Sequence, residues 1–133
     1  MVQVMRLSFV VPVLNEEPGL AGILDRLQPW RAEGHEVIVV DGGSQDGSVA
    51  VARPRADLTL ESSRGRAVQM NAGANAAAGD VFVFLHADTA LPADAVPAIA
   101  AAMTAGAKWG RFDVTIAGRP AILRVVASMM NAR

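Results

Sequence analysis

The sequence predicts an α/β fold in which a mainly parallel central sheet lies between helices on both faces. Residues 7–13 read LSFVVPV and residues 36–40 read EVIVV, and such short, valine-rich runs are typical of strands that are buried on both faces. Between them, residues 20–27 carry leucine and isoleucine at helical spacing. Strands that alternate with helices in this way run parallel and are joined by right-handed crossovers.

The remaining elements are predicted from composition and from the glycine or proline at their ends. Pro18 suits the first turn of the first helix, and Pro29 is expected to end that helix. Gly79 is expected to end an alanine-rich helix over residues 65–78. The other predicted strands occupy residues 57–62, 80–86 and 109–118, and the other predicted helices occupy residues 44–52, a stretch that ends near residue 105, and residues 121–132.

Length and composition indicate the class of protein. The chain has 133 residues, and we expect residues 1–133 to form a single domain. A hydrophobic content of 52% suffices for a packed core, and a net charge of -1 gives no basic field that would attract nucleic acid. The lack of cysteine excludes disulfides and thiolate metal sites. Because we find neither a convincing signal peptide nor an apolar run of the ~20 residues that cross a bilayer, we expect a cytoplasmic protein.

Polar residues follow the ends of three of the apolar segments. The carboxyl ends of parallel strands lie at one edge of the sheet, where open α/β folds bind their ligands, so we expect these residues to gather there. Any buried strand must end in polar turn residues, but three acid-bearing ends in one small domain favour a binding site. The residues are Asn15, Glu16, Asp41, Ser44, His86 and Asp88.

The two aspartates suggest different chemistry. The Asp41 carboxylate is suited to accept hydrogen bonds from a base imide or a ribose hydroxyl. If the backbone stays extended after residue 85, His86 and Asp88 point the same way. The Asp88 carboxylate would then hold Mg²⁺ or Mn²⁺ together with phosphate oxygens of a ligand, and the metal would neutralise charge on a departing diphosphate. His86 would either ligate the metal or donate a hydrogen bond.

Two arginines open the alanine-rich helix. Arg66 stands at its start and Arg64 lies just before it. Guanidinium groups match the geometry of phosphate, and a helix N-terminus adds positive potential. Asp46 is expected to form a turn with Gly47 rather than to bind a ligand, and His35 is expected to be a loop residue without a role.

Taken together, these segments resemble the family 2 glycosyltransferases of the GT-A fold. The resemblance rests on VVPVLNEE, VIVVDGGSQDGS, GRAVQMNAGANAAAGDVFVFLHADT and WGRFDV, and it is closest to a small bacterial branch whose metal motif reads H-A-D-T. It implies a GT-A-like α/β/α sandwich, a nucleotide-diphosphate sugar donor, and Mn²⁺ or Mg²⁺ as cofactor. The implied roles are a nucleotide-pocket loop with Pro12, Asn15 and Glu16, base recognition by Asp41, nucleotide binding by Arg66 and metal binding by Asp88.

The chain departs from the family pattern at two points. His86 stands where many relatives carry the first acid of the metal motif, which leaves strict metal dependence open. Family members are longer and carry their catalytic base in the later half, so the base and the acceptor are unknown here. Asp113 is the one nearby candidate, although an exposed strand carboxylate is its simpler interpretation. We therefore expect the donor-binding part of a transferase, truncated before the base.

The predicted helix over residues 121–132 carries a broad apolar surface. We expect the chain to form a homo-oligomer through this surface. A peripheral position at the inner face of the membrane is the alternative, although positive charge in this region is limited to Arg119, Arg124 and Arg133.

Two other functions stay open from the sequence. Nucleotidyl transfer would use a glycine-rich basic loop after the first strand, whereas NEEPGL is acidic. A non-catalytic nucleotide-binding or interaction module is consistent with the missing base. Hydride transfer is rejected because no G-x-G-x-x-G follows the first strand.

Overall fold

The computed structural model describes residues 5–113 and 122–125, and the chain divides into two compact units, residues 1–90 and 91–133. The first unit contains a four-stranded parallel sheet in the order β3-β2-β1-β4. Its strands are β1 (Leu7–Val13), β2 (Glu36–Asp41), β3 (Leu58–Glu61) and β4 (Val81–Phe84). Its helices are α1 (Glu17–Ala32), α2 (Ser48–Ala52), which a 3-10 turn at Arg53–Arg55 follows, and α3 (Arg66–Ala76).

The chain path places helices on both faces of this sheet. The β1–α1–β2 and β2–α2–β3 connections step in one direction, and β3–α3–β4 steps back across the sheet. Right-handed crossovers therefore put α3 on the face opposite α1 and α2. The predicted α/β class with a mainly parallel sheet is confirmed.

The core lies around the two middle strands. The four residues from Val37 to Val40 are fully buried, as are most residues of β1, which explains why both strands read as continuous apolar runs. Helix α1 adds Leu20, Leu24 and Leu27 to this core. On the opposite face α3 packs very close, because a Cβ at Gly73 would collide with the Val10 side chain and come within 3.1 Å of Val40 Cγ2.

The strand register leaves a recess at the carboxyl edge of the sheet. Val13 is level with Asp41, so β1 and β2 end together. Strand β4 ends at Phe84, level with Val10, and β1 therefore runs three residues past it. The chain that follows β4 is free to turn across this end of β1, where the candidate site is found.

Two expectations about helix ends were wrong. Helix α1 continues through Pro29 to Ala32, although an interior proline removes one backbone hydrogen bond. Tertiary contacts hold this last turn: Trp30 stacks on Phe9 at 5.5 Å between ring centroids, and Arg31 pairs with Asp57 at 3.1 Å.

Gly79 does not end α3, because the helix stops at Ala76 and Ala77 is already extended. Its lack of a side chain serves another purpose. A Cβ at Gly79 would lie 2.5 Å from Ser8 Oγ and 2.8 Å from the Arg6 carbonyl oxygen, so only glycine lets this loop pass so close to β1.

The amino-terminal edge of the sheet holds a buried polar network. The Ser8 hydroxyl donates to Glu36 Oε1 (2.7 Å), which also accepts the Ala78 N–H (2.8 Å), and Ser8 Oγ accepts the Gly79 N–H (2.9 Å). His35 is buried beside this network and its Nδ1 accepts the Leu7 N–H at 3.0 Å. His35 lies in the loop before β2, as expected, and it has a structural part there because it accepts the first N–H of β1; its lack of a functional role stays a prediction.

The second unit contains α4 (Ala95–Thr104) and an antiparallel pair of strands, β5 (Gly110–Asp113) and β6 (Ile122–Val125). The helix predicted over residues 121–132 is wrong for Ile122–Val125, because a short apolar run with β-branched residues suits either state and here β5 provides a partner strand. Residues 126–132, like residues 114–118 of the strand predicted from 109, lie outside the described residues.

The correction at β6 removes the basis for an oligomer built on a C-terminal helix. None of the helices in the described ranges is long and apolar enough to cross a membrane. The expectations of a single domain and of a cytoplasmic or peripheral location stay predictions.

Candidate functional site

A cavity of about 240 Å³ opens at the carboxyl end of β1 in the first unit. Three segments enclose it: the end of β1 with the loop that follows, the start of α3, and the turn after β4. Five of the eight predicted site residues line it, which are Pro12, Glu16, Arg66, His86 and Asp88. The rest of the lining consists of Val13, Leu14, Arg64, Gly65, Gln69 and Ala87.

Two guanidinium groups stand on one wall of the cavity. Arg66 is the first residue of α3, and Arg64 precedes it by two positions. Both side chains are exposed, and neither forms a hydrogen bond or an ion pair within the described ranges. Gly65 between them has φ 139°, a conformation that L side chains rarely adopt. Unpaired arginines at a helix N-terminus are suited to bind an anion of the size of phosphate.

The turn after β4 supplies an imidazole and a carboxylate, His86 and Asp88, to the same cavity. The Thr89 N–H donates to the His86 carbonyl at 3.1 Å, so residues 86–89 form a turn. The expectation that the backbone stays extended through His86 and Asp88 was wrong, although both side chains reach the cavity. Leu85 and Ala87 are buried and fix the turn, while His86 and Asp88 are exposed.

The residues present are compatible with a divalent cation bound together with a phosphate ligand. The described part of the chain contains no group of three His, Asp or Glu side chains that would hold a metal by itself. Proteins usually bind Mg²⁺ through one or two carboxylates plus substrate phosphates, rather than through a complete protein cage. Asp88 offers a carboxylate and His86 an imidazole on a cavity that also carries two arginines. This donor set fits such a shared site.

The loops after β1 and β2 are joined by a hydrogen-bonded clasp, which comprises residues 15–17 and 44–48. Five bonds form it, namely Asn15 N–H to Ser44 Oγ (2.8 Å), Gln45 N–H to Asn15 Oδ1 (2.8 Å), Glu16 N–H to Ser48 Oγ (2.9 Å), Glu17 N–H to Asp46 Oδ2 (3.2 Å) and Gly47 N–H to Glu17 Oε1 (2.8 Å). Asn15 itself has a left-handed φ of 52°, which asparagine tolerates better than most residues.

The clasp gives two of the predicted site residues a structural role. Asn15 and Ser44 use their polar side chains on each other's loop, and both lie outside the lining of the cavity. Their contribution here is to hold Glu16 beside the cavity. A direct role for Asn15 or Ser44 in nucleotide binding stays a prediction.

The Asp41 side chain forms its hydrogen bonds within its own loop. Its side chain is buried, and Oδ2 accepts the N–H groups of Gly43 (3.0 Å) and Ser44 (2.9 Å) while Oδ1 accepts the Ser44 hydroxyl (2.5 Å). Gly43 has φ 104°, which this tight turn requires. The structure therefore brings Arg66 and Asp88 to one cavity and leaves Asp41 in the neighbouring loop, so base recognition by Asp41 stays a prediction.

Asp46 and Gly47 form the bend before α2, as the sequence predicted. Asp46 Oδ1 accepts the hydroxyl (2.6 Å) and the N–H (3.0 Å) of Ser48. The hydroxyl bond lowers the pKa of Asp46 most; desolvation opposes it, and backbone N–H donors, including those of Ser48 and Glu17, add to the lowering. The clasp is therefore strongest when this carboxyl is ionised.

A second cavity of about 410 Å³ adjoins the first across the turn after β4. The two share Glu16, Ala87 and Asp88. The predicted site residue Asn15 also lines the second cavity, and the start of α1 provides the other side with Pro18, Gly19 and Ile23. Asp88 thus lies between a cavity that carries arginines and one that is mainly apolar.

Gln69 is the lining residue that the sequence analysis missed. It is buried and bonds to the ends of β1 and β2. Its spacing of four residues from both Gly65 and Gly73 is a signal that it shares their sheet-facing side of α3. A long polar residue between two glycines on the buried side of a helix is the pattern that would have identified it.

Comparisons with known proteins identify the family of the chain. Residues 8–130 match the family model described as "Glycosyl transferase family 2". The undecaprenyl-phosphate 4-deoxy-4-formamido-L-arabinose transferase of Aeromonas hydrophila is 32% identical over an alignment of 110 residues, which covers 74% of this chain and 34% of that protein. The protein of the same name from Yersinia pestis is 29% identical over 71% of this chain and 32% of its own length. The chain thus spans about a third of the length of these relatives.

Solved structures show the same fold. A mannosyltransferase from Pyrobaculum calidifontis, solved with GDP-Man and Mn²⁺, superposes with a TM-score of 0.66 at 30% identity over 80% of this chain and 34% of that chain. A glucosyl-3-phosphoglycerate synthase from Mycobacterium tuberculosis has a TM-score of 0.67 at 24% identity over 77% and 40% of the two chains, and this likeness shows the fold alone. The chain belongs to glycosyl transferase family 2, with the GT-A fold.

Proposed function

We propose that the chain binds the nucleoside-diphosphate sugar donor of a glycosyl transfer reaction in the cavity at the end of β1. The observation that carries the proposal is that two arginines without a partner among residues 5–113 and 122–125 share one cavity with Asp88 and His86. Cations on one wall and metal-type ligands on the other match a diphosphate that binds with a divalent ion. Membership of a glycosyltransferase family supports the same conclusion.

Each lining group has a role in this proposal. Arg66, and Arg64 beside it, bind phosphate oxygens, and the N-terminus of α3 adds to their positive potential. Pro12 and Leu14 form part of the floor against which the nucleoside lies. Glu16, held by the clasp, faces the ligand as a hydrogen-bond acceptor for ribose or base.

Asp88 and His86 are the side chains that would hold Mn²⁺ or Mg²⁺. When bound, such an ion neutralises negative charge on the diphosphate as it departs. The Pyrobaculum mannosyltransferase was solved with GDP-Man and Mn²⁺, which supports this choice of donor and ion.

Transfer to a hydroxyl acceptor needs a base that takes the proton of the attacking oxygen, whereas a phosphate acceptor is already ionised at neutral pH. The cavity does not assign that base. Asp113 ends β5 in the second unit, and its role stays the prediction made from the sequence. Two relatives carry undecaprenyl phosphate in their names, so a polyprenyl phosphate is the acceptor class that we would assay first.

Calorimetric titration tests donor binding directly. We expect UDP or GDP to bind with Mn²⁺ present, and Asp88→Asn to abolish the metal-dependent part of binding while the urea midpoint stays unchanged. Asp94→Asn is the matched control, because Asp94 is an exposed carboxylate in the second unit and its side chain makes no capping bond. Equal metal-dependent binding by the Asp88 variant and the wild type would remove Asp88 from the site.

A parallel titration separates the rival activities. Preference for a nucleoside triphosphate with a sugar phosphate would contradict sugar transfer and favour nucleotidyl transfer. Binding of the diphosphate without turnover of any nucleotide sugar would favour a nucleotide-binding module instead.

A further inference from the structure

Gln69, on α3, bonds to three other segments near the cavity. Its Nε2 donates to the carbonyl oxygens of Val13 (3.0 Å) and Val40 (2.9 Å), near the ends of the two central strands. Its Oε1 accepts the Gly65 N–H at 3.3 Å, and its own N–H donates to the Gly65 carbonyl at 2.9 Å. The side chain also lines the cavity. One buried amide therefore connects β1, β2 and the arginine-bearing segment.

The orientation of this amide is determined by its surroundings. Two carbonyl oxygens face its nitrogen, and only the NH₂ end of a glutamine has two donors to offer them. The oxygen is then left to accept from Gly65. Gly42 makes room for the arrangement, because a Cβ at that position would lie 2.9 Å from both Cδ and Oε1 of Gln69.

The backbone around Gly65 is held by the start of α3 and by the bond from the Ser62 N–H to the Asp41 carbonyl, but the arginine side chains have no polar contacts of their own within the described ranges. Arg64 and Arg66 are exposed and have no partners in the described ranges, and Gly65 between them adopts a φ of 139°. The two hydrogen bonds between Gly65 and Gln69 restrain this glycine from both its donor and its acceptor side. The direction in which the two guanidinium groups leave the backbone depends on this restraint.

We propose that Gln69 is a positioning residue for anion binding: it fixes Gly65 against the ends of β1 and β2 so that Arg64 and Arg66 are directed at the diphosphate. This inference rests on the proposed function and adds to it a residue that need not touch the ligand. It predicts that the diphosphate affinity depends on a buried amide as well as on the charges themselves.

The main test is Gln69→Met, which keeps the length of the side chain and removes both donors and the acceptor. We expect the affinity for UDP or GDP, measured by calorimetry with Mn²⁺, to fall about ten- to hundredfold, the range typical of groups that orient ligand-binding residues. Gly42→Ala is a second variant, since it displaces the Gln69 amide without changing it, and we expect a loss in the same direction.

A double-mutant cycle distinguishes positioning from general destabilisation. If Gln69 acts through the arginines, Gln69→Met costs less than about twofold in a chain that already carries Arg64→Ala and Arg66→Ala. Equal losses with and without the arginines would contradict positioning, because a residue that merely stabilises the fold, or binds the ligand by itself, gives additive effects.

Ser8→Ala is the matched structural control, since it removes a buried hydroxyl that bridges segments at the opposite edge of the sheet. We expect it to lower the urea midpoint and to leave the affinity within about twofold, as distant and independent sites do. Wild-type binding with an unchanged affinity in Gln69→Met would overturn the positioning role alone. Failure of the wild-type chain to bind UDP or GDP would overturn the proposed function, and the inference with it.

Discussion

The two edges of the parallel sheet differ in the polar side chains that they leave unbonded. At the amino-terminal edge, Ser8, His35 and Glu36 are buried and bonded to neighbouring segments. At the carboxyl edge, Asp41 and Gln69 are also buried and bonded, but the side chains of Arg66 and His86 face a cavity and have no partner within the described ranges. Both edges therefore use polar groups to close the fold, and the carboxyl edge adds a set that is available to a ligand.

This difference distinguishes polar residues with a structural role from polar residues that are available for binding, within a single unit of the structure. A buried polar group costs free energy unless it is bonded, so a complete set of internal bonds indicates a structural role. Charged groups that share a cavity without internal bonds are maintained for something outside the protein. Substitutions at the two edges should therefore affect different measurements, stability at the first edge and binding at the second.

The largest expected effect lies at the amino-terminal edge. Glu36→Ala removes the acceptor of the Ser8 hydroxyl and of the Ala78 N–H. The fully buried Ser8 hydroxyl and the N–H of the exposed residue Ala78 would lose their acceptor, which should lower the free energy of unfolding by about 1–3 kcal/mol, measured by urea denaturation. Glu33→Ala, at an exposed carboxylate three residues earlier, should change it by less than about 0.5 kcal/mol. Similar values for the two variants would show that the network contributes little.

The next largest effect concerns the close packing of α3 on the face of the sheet, between its two edges. Gly73→Ala should lower the free energy of unfolding by about 1–2 kcal/mol, because the added methyl group collides with Val10 and overpacking outweighs the better helix propensity of alanine. Gly22→Ala on α1 meets no atom within 4 Å and should raise stability by about 0.5–1 kcal/mol. Thermal unfolding of the pair measures the contrast, and stabilisation by both variants would contradict the packing argument.

At the carboxyl edge, Arg66→Ala should act on binding and leave stability unchanged. We expect the Kd for UDP or GDP to rise about tenfold, equivalent to about 1.4 kcal/mol, and the salt dependence of binding to weaken. Arg53→Ala removes an exposed arginine far from the cavity and serves as the control. If the Arg66 variant lost stability but kept its affinity, this arginine would have a structural role and not a role in binding.

The smallest effect concerns the clasp and its dependence on pH. Since hydrogen bonds lower the pKa of Asp46 in the folded state, its carboxylate stabilises the protein above the unfolded pKa of about 3.9, and this contribution is lost as pH falls through the lower folded pKa. Asp46→Asn should therefore lower Tm slightly at pH 7, and the difference from wild type should shrink toward pH 3. A difference that is constant over this range would mean that the charge is not involved.

The sequence correctly predicted the elements whose residue pattern is compatible with only one type of secondary structure. Strands β1 and β2 were found because a strand buried on both faces must be apolar at successive positions. The end of α1 was misplaced because Trp30 and Arg31 make tertiary contacts that local rules for proline do not include. Strand β6 was taken for a helix because a short apolar run suits either state, and its pairing with β5 cannot be read from its own composition.

The sequence predicted charged residues of the candidate site, but it did not identify the residues that hold them in position. Arg66 and Asp88 were identified because strand ends and helix starts converge at one edge of a parallel sheet. Asp41 was expected at the same pocket, and its side chain instead accepts three hydrogen bonds from its own turn. Gln69 was missed because its partners are backbone carbonyls of other strands, which leave no mark in local composition.

The most direct test of the central claim is a crystal structure of the chain with GDP or UDP and Mn²⁺, with the metal located from its anomalous scattering. We predict a manganese peak at the Asp88 carboxylate and a diphosphate between that ion and the Arg66 guanidinium. A ligand bound elsewhere on the chain, or a manganese peak at the clasp with the cavity empty, would contradict the account.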